Sequence, residues 1–316
     1  MQKIDFKHYT VMLNETVEAL EADNSDKIFI DATLGGGGHS ELILKKISKK
    51  GRLISFDLDE EAIAASKNRL ENYKNIEIVN ESYGNIPEVL SMLGIEKITG
   101  GIIFDLGASF HQFNKAERGF SFQKDAPLDM RFGESQTRTA ADIVNSYSEK
   151  ELTEIFSKYG EERFSKTIAR AIINNRPIHT TLQLADLICK STPRTNSKIH
   201  PATKVFQALR IEVNNELLNF ENTLNRLLPL LSVNAIISVI SFHSLEDRIV
   251  KNFFKKYSSS CRCPIHQAQC TCEGKILELV NKKPILPTEE EIKENPPSRS
   301  AKLRVAKVIK EFNQVQ

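Results

Sequence analysis

A run of four glycines lies where a cofactor-binding turn is expected. Residues 35–38 are glycines, and they follow an apolar strand-like segment and precede a helical pattern. Glycines at such a turn let the backbone bend tightly and approach a ligand closely. Asp57 lies 19 residues after Gly38, at the end of the next apolar segment. A carboxylate there accepts hydrogen bonds from ribose hydroxyls, so the two features predict a nucleoside-cofactor site. The alternative is a plain glycine turn beside a solvated aspartate.

The glycine run leaves the type of cofactor open. Gly36 and Gly38 match the first half of the G-x-G-x-x-G pattern of dinucleotide-binding proteins, but the second half is missing. This difference favours a cofactor without a pyrophosphate. The pattern alone does not decide which nucleoside cofactor binds.

A second carboxylate, Asp105, ends a later apolar segment. Strand ends of this kind face the ligand crevice of an open parallel sheet. Asp105 either accepts a hydrogen bond from an amine that is about to be alkylated or caps the turn that follows. Both interpretations stay open at this stage.

Four of the five cysteines crowd into two C-x-C pairs, Cys261 with Cys263 and Cys270 with Cys272. Four thiolates are able to bind zinc tetrahedrally, although the C-x-C spacing is tighter than the common C-x-x-C. The alternative is a set of reduced thiols in a flexible loop, so the pattern assigns no metal.

Composition excludes some classes of protein. No apolar run approaches the roughly 18 residues that span a bilayer, and the N-terminus lacks the apolar region of a signal peptide. The cysteine spacing does not resemble the disulfide framework of a secreted protein. We therefore expect a cytoplasmic protein that does not contact membranes. The formal net charge of +2 neither demands nor excludes a nucleic-acid partner.

The elements that must position these residues alternate between strand and helix. Strand patterns cover residues 27–33, 52–59, 76–80, 101–106 and 235–241, and helical patterns cover residues 39–47, 60–70, 86–93 and 245–257. Residues 274–280 and 302–309 predict a closing antiparallel pair, and the Pro- and Lys-rich residues 281–300 between them predict an exposed loop. This alternation predicts an α/β fold with a parallel sheet and helices on both faces.

The alternation breaks in the middle of the chain. Helical patterns without convincing strands cover residues 140–145, 149–159, 163–174 and 182–190. We therefore predict a discontinuous core of residues 1–112 and 215–316, interrupted by a helical insertion of residues 113–214.

A series of short motifs, in one order along nearly the whole chain, resembles the bacterial 16S ribosomal RNA cytosine-N4 methyltransferases, the small-subunit methyltransferase H family. The matching segments are residues 8–13 (HYTVML), 31–40 (DATLGGGGHS), 104–107 (FDLG), 117–122 (ERGFSF), 127–131 (PLDMR), 159–164 (YGEERF), 200–210 (HPATKVFQALR), 241–248 (SFHSLEDR) and 295–304 (NPPSRSAKLR). The chain departs from the family at Phe110, which replaces a small hydroxyl residue.

The resemblance implies a Rossmann-like methyltransferase sheet with a helical substrate-recognition insertion and S-adenosyl-L-methionine as donor. The implied target is the N4 amine of a cytosine in the decoding centre, near the P site of the small ribosomal subunit. The residues that it places around the donor are Gly37, Gly38, His39, Asp57, Tyr83, Asp105 and Gln112. Asp105 is the candidate catalytic residue.

An RNA partner requires local basic and aromatic groups, because the net charge is small. The candidates for contact with 16S rRNA are Arg118, Phe120, Arg131, Lys204, Arg210, Arg299 and Arg304. The alternative is a solvated surface of paired charges and, for the aromatic side chain, core packing. A homodimer is left open.

Three other functions compete with this interpretation. A DNA amino-methyltransferase often has an Asn/Ser/Asp-Pro-Pro-Tyr strand end, which is absent after Phe104. A nicotinamide oxidoreductase would have the full G-x-G-x-x-G run. A non-catalytic RNA-binding or assembly factor is supported only by Phe110.

Overall fold

The computed structural model describes residues 10–107, 116–133, 136–193, 200–263, 270, 272 and 274–312. These residues form two compact units. The described residues up to Gly107 and from Asn219 onward form the first unit, and those between them, up to Leu218, form the second. Whether the second unit recognises a substrate stays a prediction.

The first unit contains a seven-stranded sheet in the order β3-β2-β1-β4-β5-β7-β6. Strands β1 to β5 pair in parallel, whereas β7 is antiparallel to both β5 and β6. The strands are β1 Ile28–Asp31, β2 Arg52–Asp57, β3 Ile76–Asn80, β4 Gly101–Asp105, β5 Ile236–Ser241, β6 Leu277–Leu279 and β7 Lys302–Val308. The predicted strands and the predicted antiparallel pair are confirmed, and so is the Rossmann-like α/β fold class.

Strand order decides where a ligand crevice lies in such a sheet. The chain runs outward from β1 to β2 and β3 on one side, and from β4 to β5 on the other. The carboxyl ends of β1 and β4 therefore flank the point at which the strand order reverses, which is where open α/β sheets bind ligands.

Apolar side chains on both faces hold the sheet in place. Phe29, Phe56 and Phe104 are fully buried, each on a different strand. Burial of both faces explains why these strands read as apolar runs rather than as alternating patterns. The α-helices of this unit are α1 Leu13–Glu18, α2 Gly38–Lys46, α3 Glu60–Arg69, α4 Ile86–Met92, α11 Ser244–Ser258 and α12 Glu289–Glu294, with α10 Glu216–Leu227 spanning the boundary between the units.

The second unit is helical over the residues that the structure describes. Its helices are α5 Ala140–Ser146, α6 Glu149–Lys158, α7 Ser165–Asn174, α8 Thr181–Ser191 and α9 Ala202–Asn214. Thr139, Ser148 and Thr180 begin three of them with capping boxes, in which the side chains of the cap and of the third helical residue satisfy each other's backbone N–H groups. The unit has its own buried apolar cluster, which includes Phe156 and Leu209.

The prediction of an exposed loop over residues 281–300 is wrong. The segment contains α12 and a 3₁₀ helix, Pro296–Ser300, and Glu291 and Ser298 are buried. Thr288 caps α12 by accepting a hydrogen bond from the N–H of Glu291, and three glutamates in the first turn favour the positive end of the helix dipole. The prediction used the Pro and Lys content of the segment and did not take this helix-start signal into account.

Among the described residues, no helix is both long and apolar enough to cross a lipid bilayer.

Candidate functional site

Three aspartates end three adjacent strands of the parallel sheet. Asp31 is the last residue of β1, Asp57 of β2 and Asp105 of β4. Because β1 lies between β2 and β4, the carboxyl ends of these strands bring the three side chains to one edge of the sheet. This edge is the site at which a ligand is expected.

The glycine turn is tied directly to Asp57. The backbone N–H of Gly35 donates to Asp57 Oδ2 at 2.8 Å, and Asp57 Oδ1 accepts from the N–H of Asp59 at 2.9 Å. Gly35 has a φ of 48° and Gly37 a φ of 74°, values that residues other than glycine rarely adopt. Ser66 donates its hydroxyl to the carbonyl of Gly35 at 2.7 Å. Strand β2 and helix α3 together fix the turn.

Helix α2 begins at the end of this turn without a side-chain cap. Its N-cap is Gly37, which cannot supply one. A Cβ atom on Gly38 would lie 1.9 Å from Oγ1 of Thr10, so packing against Thr10 requires glycine there. The positive end of the helix dipole and its first N–H groups are therefore suited to an anionic ligand group.

His39, in the first turn of α2, is buried. Its Nε2 lies 3.1 Å from the carbonyl oxygen of Val11, and its Nδ1 lies 3.8 Å from Oδ2 of Asp105. The contact with Val11 explains why the N-terminal motif belongs to the site. His39 therefore holds the N-terminal segment next to Asp105.

Burial raises the pKa of two of the aspartates. The pKa of Asp31 rises to about 6 because the carboxyl is completely desolvated, although hydrogen bonds from Ser40 and Thr33 oppose the shift. Desolvation likewise raises the pKa of Asp57 to about 6, against hydrogen bonds from Asp59 and Gly35. Perturbed carboxyls of this kind concentrate at functional sites.

Asp105 is the most perturbed carboxyl at this edge. Desolvation first, and then the charges of Asp31, Glu246 and Glu291, raise its pKa well above the usual value. Its backbone N–H donates to Thr33 Oγ1 at 2.7 Å, and its Oδ1 is buried with no hydrogen-bond partner in the described part of the chain. A buried carboxyl oxygen without a donor, close to other carboxyls, favours a ligand that brings positive charge and a hydrogen-bond donor.

Tyr83 lies in a 3₁₀ helix after β3 and is half-buried. Its ring meets Phe104 edge-on at a centroid distance of 5.8 Å, and Phe104 meets Phe220 at 5.4 Å. This packing places Tyr83 against the carboxyl end of strand β4, where Phe104 precedes Asp105. Gln112 and Phe110 lie outside the described residues.

Two of the arginines predicted to contact RNA form bidentate ion pairs with carboxylates. Arg210 donates to both oxygens of Glu216 at 2.8 and 2.9 Å, and Arg304 donates to both oxygens of Asp247 at 2.6 and 3.2 Å. The arginine side chains are only 12% and 13% exposed. These pairs match the alternative of paired charges.

Arg118 and Arg131 are also bonded within their own segment. Arg118 donates to the carbonyls of Arg131 and Phe132, and Arg131 forms a fork with Asp129, with N···O distances of 2.8 and 2.7 Å. Arg131 also donates to the carbonyl of Gln136. The two side chains order this segment of the second unit.

The remaining candidates for RNA contact differ in exposure. Phe120 is buried and stacks on Phe132 at 5.6 Å, whereas Arg299 is exposed. Lys204 donates to the carbonyl of Glu161 at 2.9 Å. Of these three residues, Arg299 is the one that the structure leaves exposed.

The four clustered cysteines are brought together. The sulfur atoms of Cys261, Cys263, Cys270 and Cys272 all lie within 4.8 Å of one another.

Two features of the site were missed by the sequence reasoning. Asp31 and Glu246 lie within the matching segments 31–40 and 241–248, but no role was predicted for either residue. Glu246 is buried and accepts hydrogen bonds from the N–H groups of Phe242 and His243, while its own N–H donates to Nδ1 of His243. The sequence signal that could have identified Asp31 is its position as a polar residue at the end of a buried strand.

Comparison with known proteins gives a consistent family match. Residues 5–309 match the sequence profile described as the MraW methylase family. A protein of Caldicellulosiruptor bescii, named ribosomal RNA small subunit methyltransferase H, is 50% identical over 308 residues, which cover 96% of this chain and 100% of the relative. A protein of the same name from Clostridioides difficile is 46% identical over 313 residues, with 97% and 100% covered.

Similarity to solved structures is weaker. An rRNA methylase from Streptococcus thermophilus has a TM-score of 0.41 at 11% identity, covering 94% of this chain and 95% of that one. A SAM-dependent O-methyltransferase from Thermotoga maritima has a TM-score of 0.39 at 6% identity, covering 94% and 64%. The assignment therefore depends on the sequence relatives.

Proposed function

Because the chain belongs to the MraW methylase family, we propose that it methylates the RNA of the small ribosomal subunit with S-adenosyl-L-methionine as donor. The observation that carries the proposal is the full-length identity of 46 to 50% with relatives that are named ribosomal RNA small subunit methyltransferase H. The acidic strand ends and the glycine turn are the local features that support it.

The charges around the glycine turn fit the donor. The donor has a sulfonium and an ammonium group, and Asp31 and Asp105 offer carboxyl groups whose raised pKa values fall when a cation binds nearby. The donor also has a carboxylate, which the uncapped start of α2 suits. In this proposal Gly37, Gly38 and His39 line that end of the site.

The sugar and the base of the donor would lie farther along the strand ends. Each carboxylate oxygen of Asp57 already accepts one backbone N–H and has a second lone pair left for a ribose hydroxyl. Tyr83 is held against Phe104 and offers an aromatic surface for the adenine. The family resemblance also implies Gln112 as a donor-binding residue.

We further propose that the acceptor is the N4 amine of a cytosine in the decoding centre, near the P site of 16S rRNA. A cytosine amine is a weak nucleophile because its lone pair is delocalised into the ring. When bound, the donor supplies a methyl group that is electrophilic because it is attached to a sulfonium, which becomes a neutral thioether as the methyl leaves.

Asp105 is the catalytic residue of this proposal. Its Oδ1, which has no hydrogen-bond partner among the residues that the structure describes, accepts a hydrogen bond from the amine, which concentrates the lone pair on nitrogen and stabilises the positive charge that develops there. The positive charge of the donor lowers this raised pKa and so favours the ionised form of Asp105, and the carboxylate is then available to take the proton that the amine must lose.

The target base must leave its stack to reach Asp105, as for other enzymes that modify bases. Arg299 is the exposed cation in the last family motif and is our candidate for phosphate contact. A substrate in the small ribosomal subunit would place the reaction in the cytoplasm.

Methyl transfer from labelled donor to three acceptors tests the proposal. We expect label in the RNA of small ribosomal subunits or in naked 16S rRNA, on the exocyclic amine of cytidine, and none in DNA. Asp105→Ala should abolish the transfer, whereas Asp23→Asn, which changes an exposed carboxylate paired with Lys46, should leave it intact. Label in DNA alone, or none with either RNA acceptor, would contradict the proposal.

A further inference from the structure

We propose that Cys261, Cys263, Cys270 and Cys272 bind one zinc ion as a structural tetrathiolate site. The site lies between helix α11 and strand β6, in the first unit. It is separate from the strand ends that are proposed to bind the methyl donor, because β6 is an edge strand and those ends belong to β1, β2 and β4.

The sulfur positions have the dimensions of a zinc tetrahedron. Zinc–sulfur bonds of about 2.3 Å in a regular tetrahedron place the sulfurs about 3.8 Å apart. Here Cys263 and Cys272 Sγ are 3.4 Å apart, Cys261 and Cys270 Sγ are 3.6 Å apart, and no pair exceeds 4.8 Å. A small contraction or expansion of each edge is enough to admit the ion.

Neighbouring groups already support a thiolate cluster. The backbone N–H of Arg262 donates to Sγ of Cys272 at 3.0 Å, an interaction that stabilises negative charge on a metal-bound sulfur. The side chain of Arg262 donates to the carbonyl of Gly274 and lies over the ring of Tyr257, 5.6 Å from its centroid. Arg262 therefore joins the first cysteine pair to the chain that follows the second.

The described part of the cysteine segment has no apolar core of its own. Tyr257 and Ile276, at its two ends, are buried and joined by a 2.9 Å backbone hydrogen bond, but none of the described residues between them is buried. A short segment without an apolar core usually depends on a metal or on disulfides. Metal binding would supply the missing free energy, as in other small zinc sites.

Local charge also suits the site. Four thiolates and one Zn²⁺ carry a net charge of about −2, and Lys255, Lys256 and Arg262 lie in or next to the segment. The sulfur spacing further selects a single ion. A [4Fe–4S] cluster binds each cysteine to a different iron and so holds the sulfurs farther apart.

Metal analysis of the purified full-length chain under reducing conditions tests the site. We expect one zinc per chain, released when a mercurial reagent blocks the thiols. The paired variant Cys261→Ser with Cys272→Ser should contain no zinc. Cys189→Ser is the matched control, because Cys189 is the fifth cysteine and lies outside the cluster, and it should keep the full zinc content.

Cobalt substitution keeps the test decisive if the paired variant fails to fold. Co²⁺ added to the zinc-free wild-type chain should give the intense visible absorption of tetrahedral cobalt bound by thiolates. Three results would overturn the proposal. They are wild-type protein without zinc in which all four clustered thiols react freely, the same cysteines joined as disulfides in protein purified without a reductant and without added oxidant, or iron in place of zinc.

Discussion

Binding of S-adenosyl-L-methionine is expected to weaken as the pH falls, because Asp57 holds the ribose only as a carboxylate. Burial raises the pKa of Asp57 to about 6, from a usual value near 3.8. The difference corresponds to a net cost of about 3 kcal/mol for the ionised group, because desolvation outweighs the backbone hydrogen bonds. At about pH 5 only about one tenth of the Asp57 side chains would be ionised, against nearly all at about pH 7.5.

The expected loss of affinity between these two pH values is therefore about tenfold. Asp31 titrates in the same range, so tenfold is a lower limit. Isothermal titration calorimetry of the donor at both pH values measures the change. Asp57→Asn should bind about 10- to 100-fold more weakly at the higher pH, as expected when hydrogen bonds to a charged group are lost, and should show a smaller pH dependence.

Unfolding is a separate effect with the opposite sign for this group. Because the pKa of Asp57 is raised in the folded chain, ionisation destabilises the fold above about pH 6, and this cost is absent below about pH 3.8. Circular dichroism at the lower pH checks that the chain is folded. Asp23→Asn is the matched control and should keep the tenfold loss. Equal affinity of the folded wild type at both pH values would refute the role of Asp57.

Further substitutions test the chemistry, the packing and the RNA contact separately. Asp105→Asn should lower the single-turnover rate of methyl transfer at saturating donor by about 100-fold or more, and an unchanged rate would exclude Asp105 from catalysis. Gly38→Ala should lower the free energy of unfolding by about 1–3 kcal/mol, because the new Cβ meets Thr10, and Thr10→Gly in the same chain should restore part of the loss in thermal denaturation. Arg299→Ala should fold normally and reduce the salt dependence of RNA binding by about one phosphate contact, whereas Arg304→Ala should cost about 2 kcal/mol of stability. The reverse pattern for the two arginines would contradict the assignment of Arg299 to the RNA.

Local patterns were enough to predict most of the sheet. Strand β3 has the predicted bounds, and β2, β4 and β5 differ from prediction by one or two residues. These strands are apolar and bounded by turns, so neighbouring residues carry the information. The prediction failed at α12. The Pro and Lys content of residues 281–300 indicated a loop, although Thr288 and the three glutamates that follow it are typical of a helix N-terminus.

The sequence predicted only in part which carboxyl groups meet at the site. Asp57 and Asp105 were placed at strand ends correctly, but their proximity to Asp31 depends on the strand order, which no single segment encodes. Glu291 accepts a hydrogen bond from the N–H of Met12, 279 residues away, and the charge of Glu291 raises the pKa of Asp105. Contacts at such separation are fixed by the completed fold.

The ion pairs of two arginines were likewise not predicted from the sequence. Arg210 and Arg304 lie in motifs shared with RNA methyltransferases, which suggested phosphate contact. Each is nevertheless neutralised by a carboxylate, Glu216 or Asp247, in a partly buried fork. Residue type alone does not distinguish a side chain that orders the protein from one that binds the substrate.

Mass spectrometry of nucleosides from 16S rRNA, in cells with and without this gene, tests the central claim most directly. The account predicts that a decoding-centre fragment contains a cytidine methylated on its exocyclic amine in the parent cells and an unmethylated amine in cells without the gene. The same methylated nucleoside at the same level in both would contradict it.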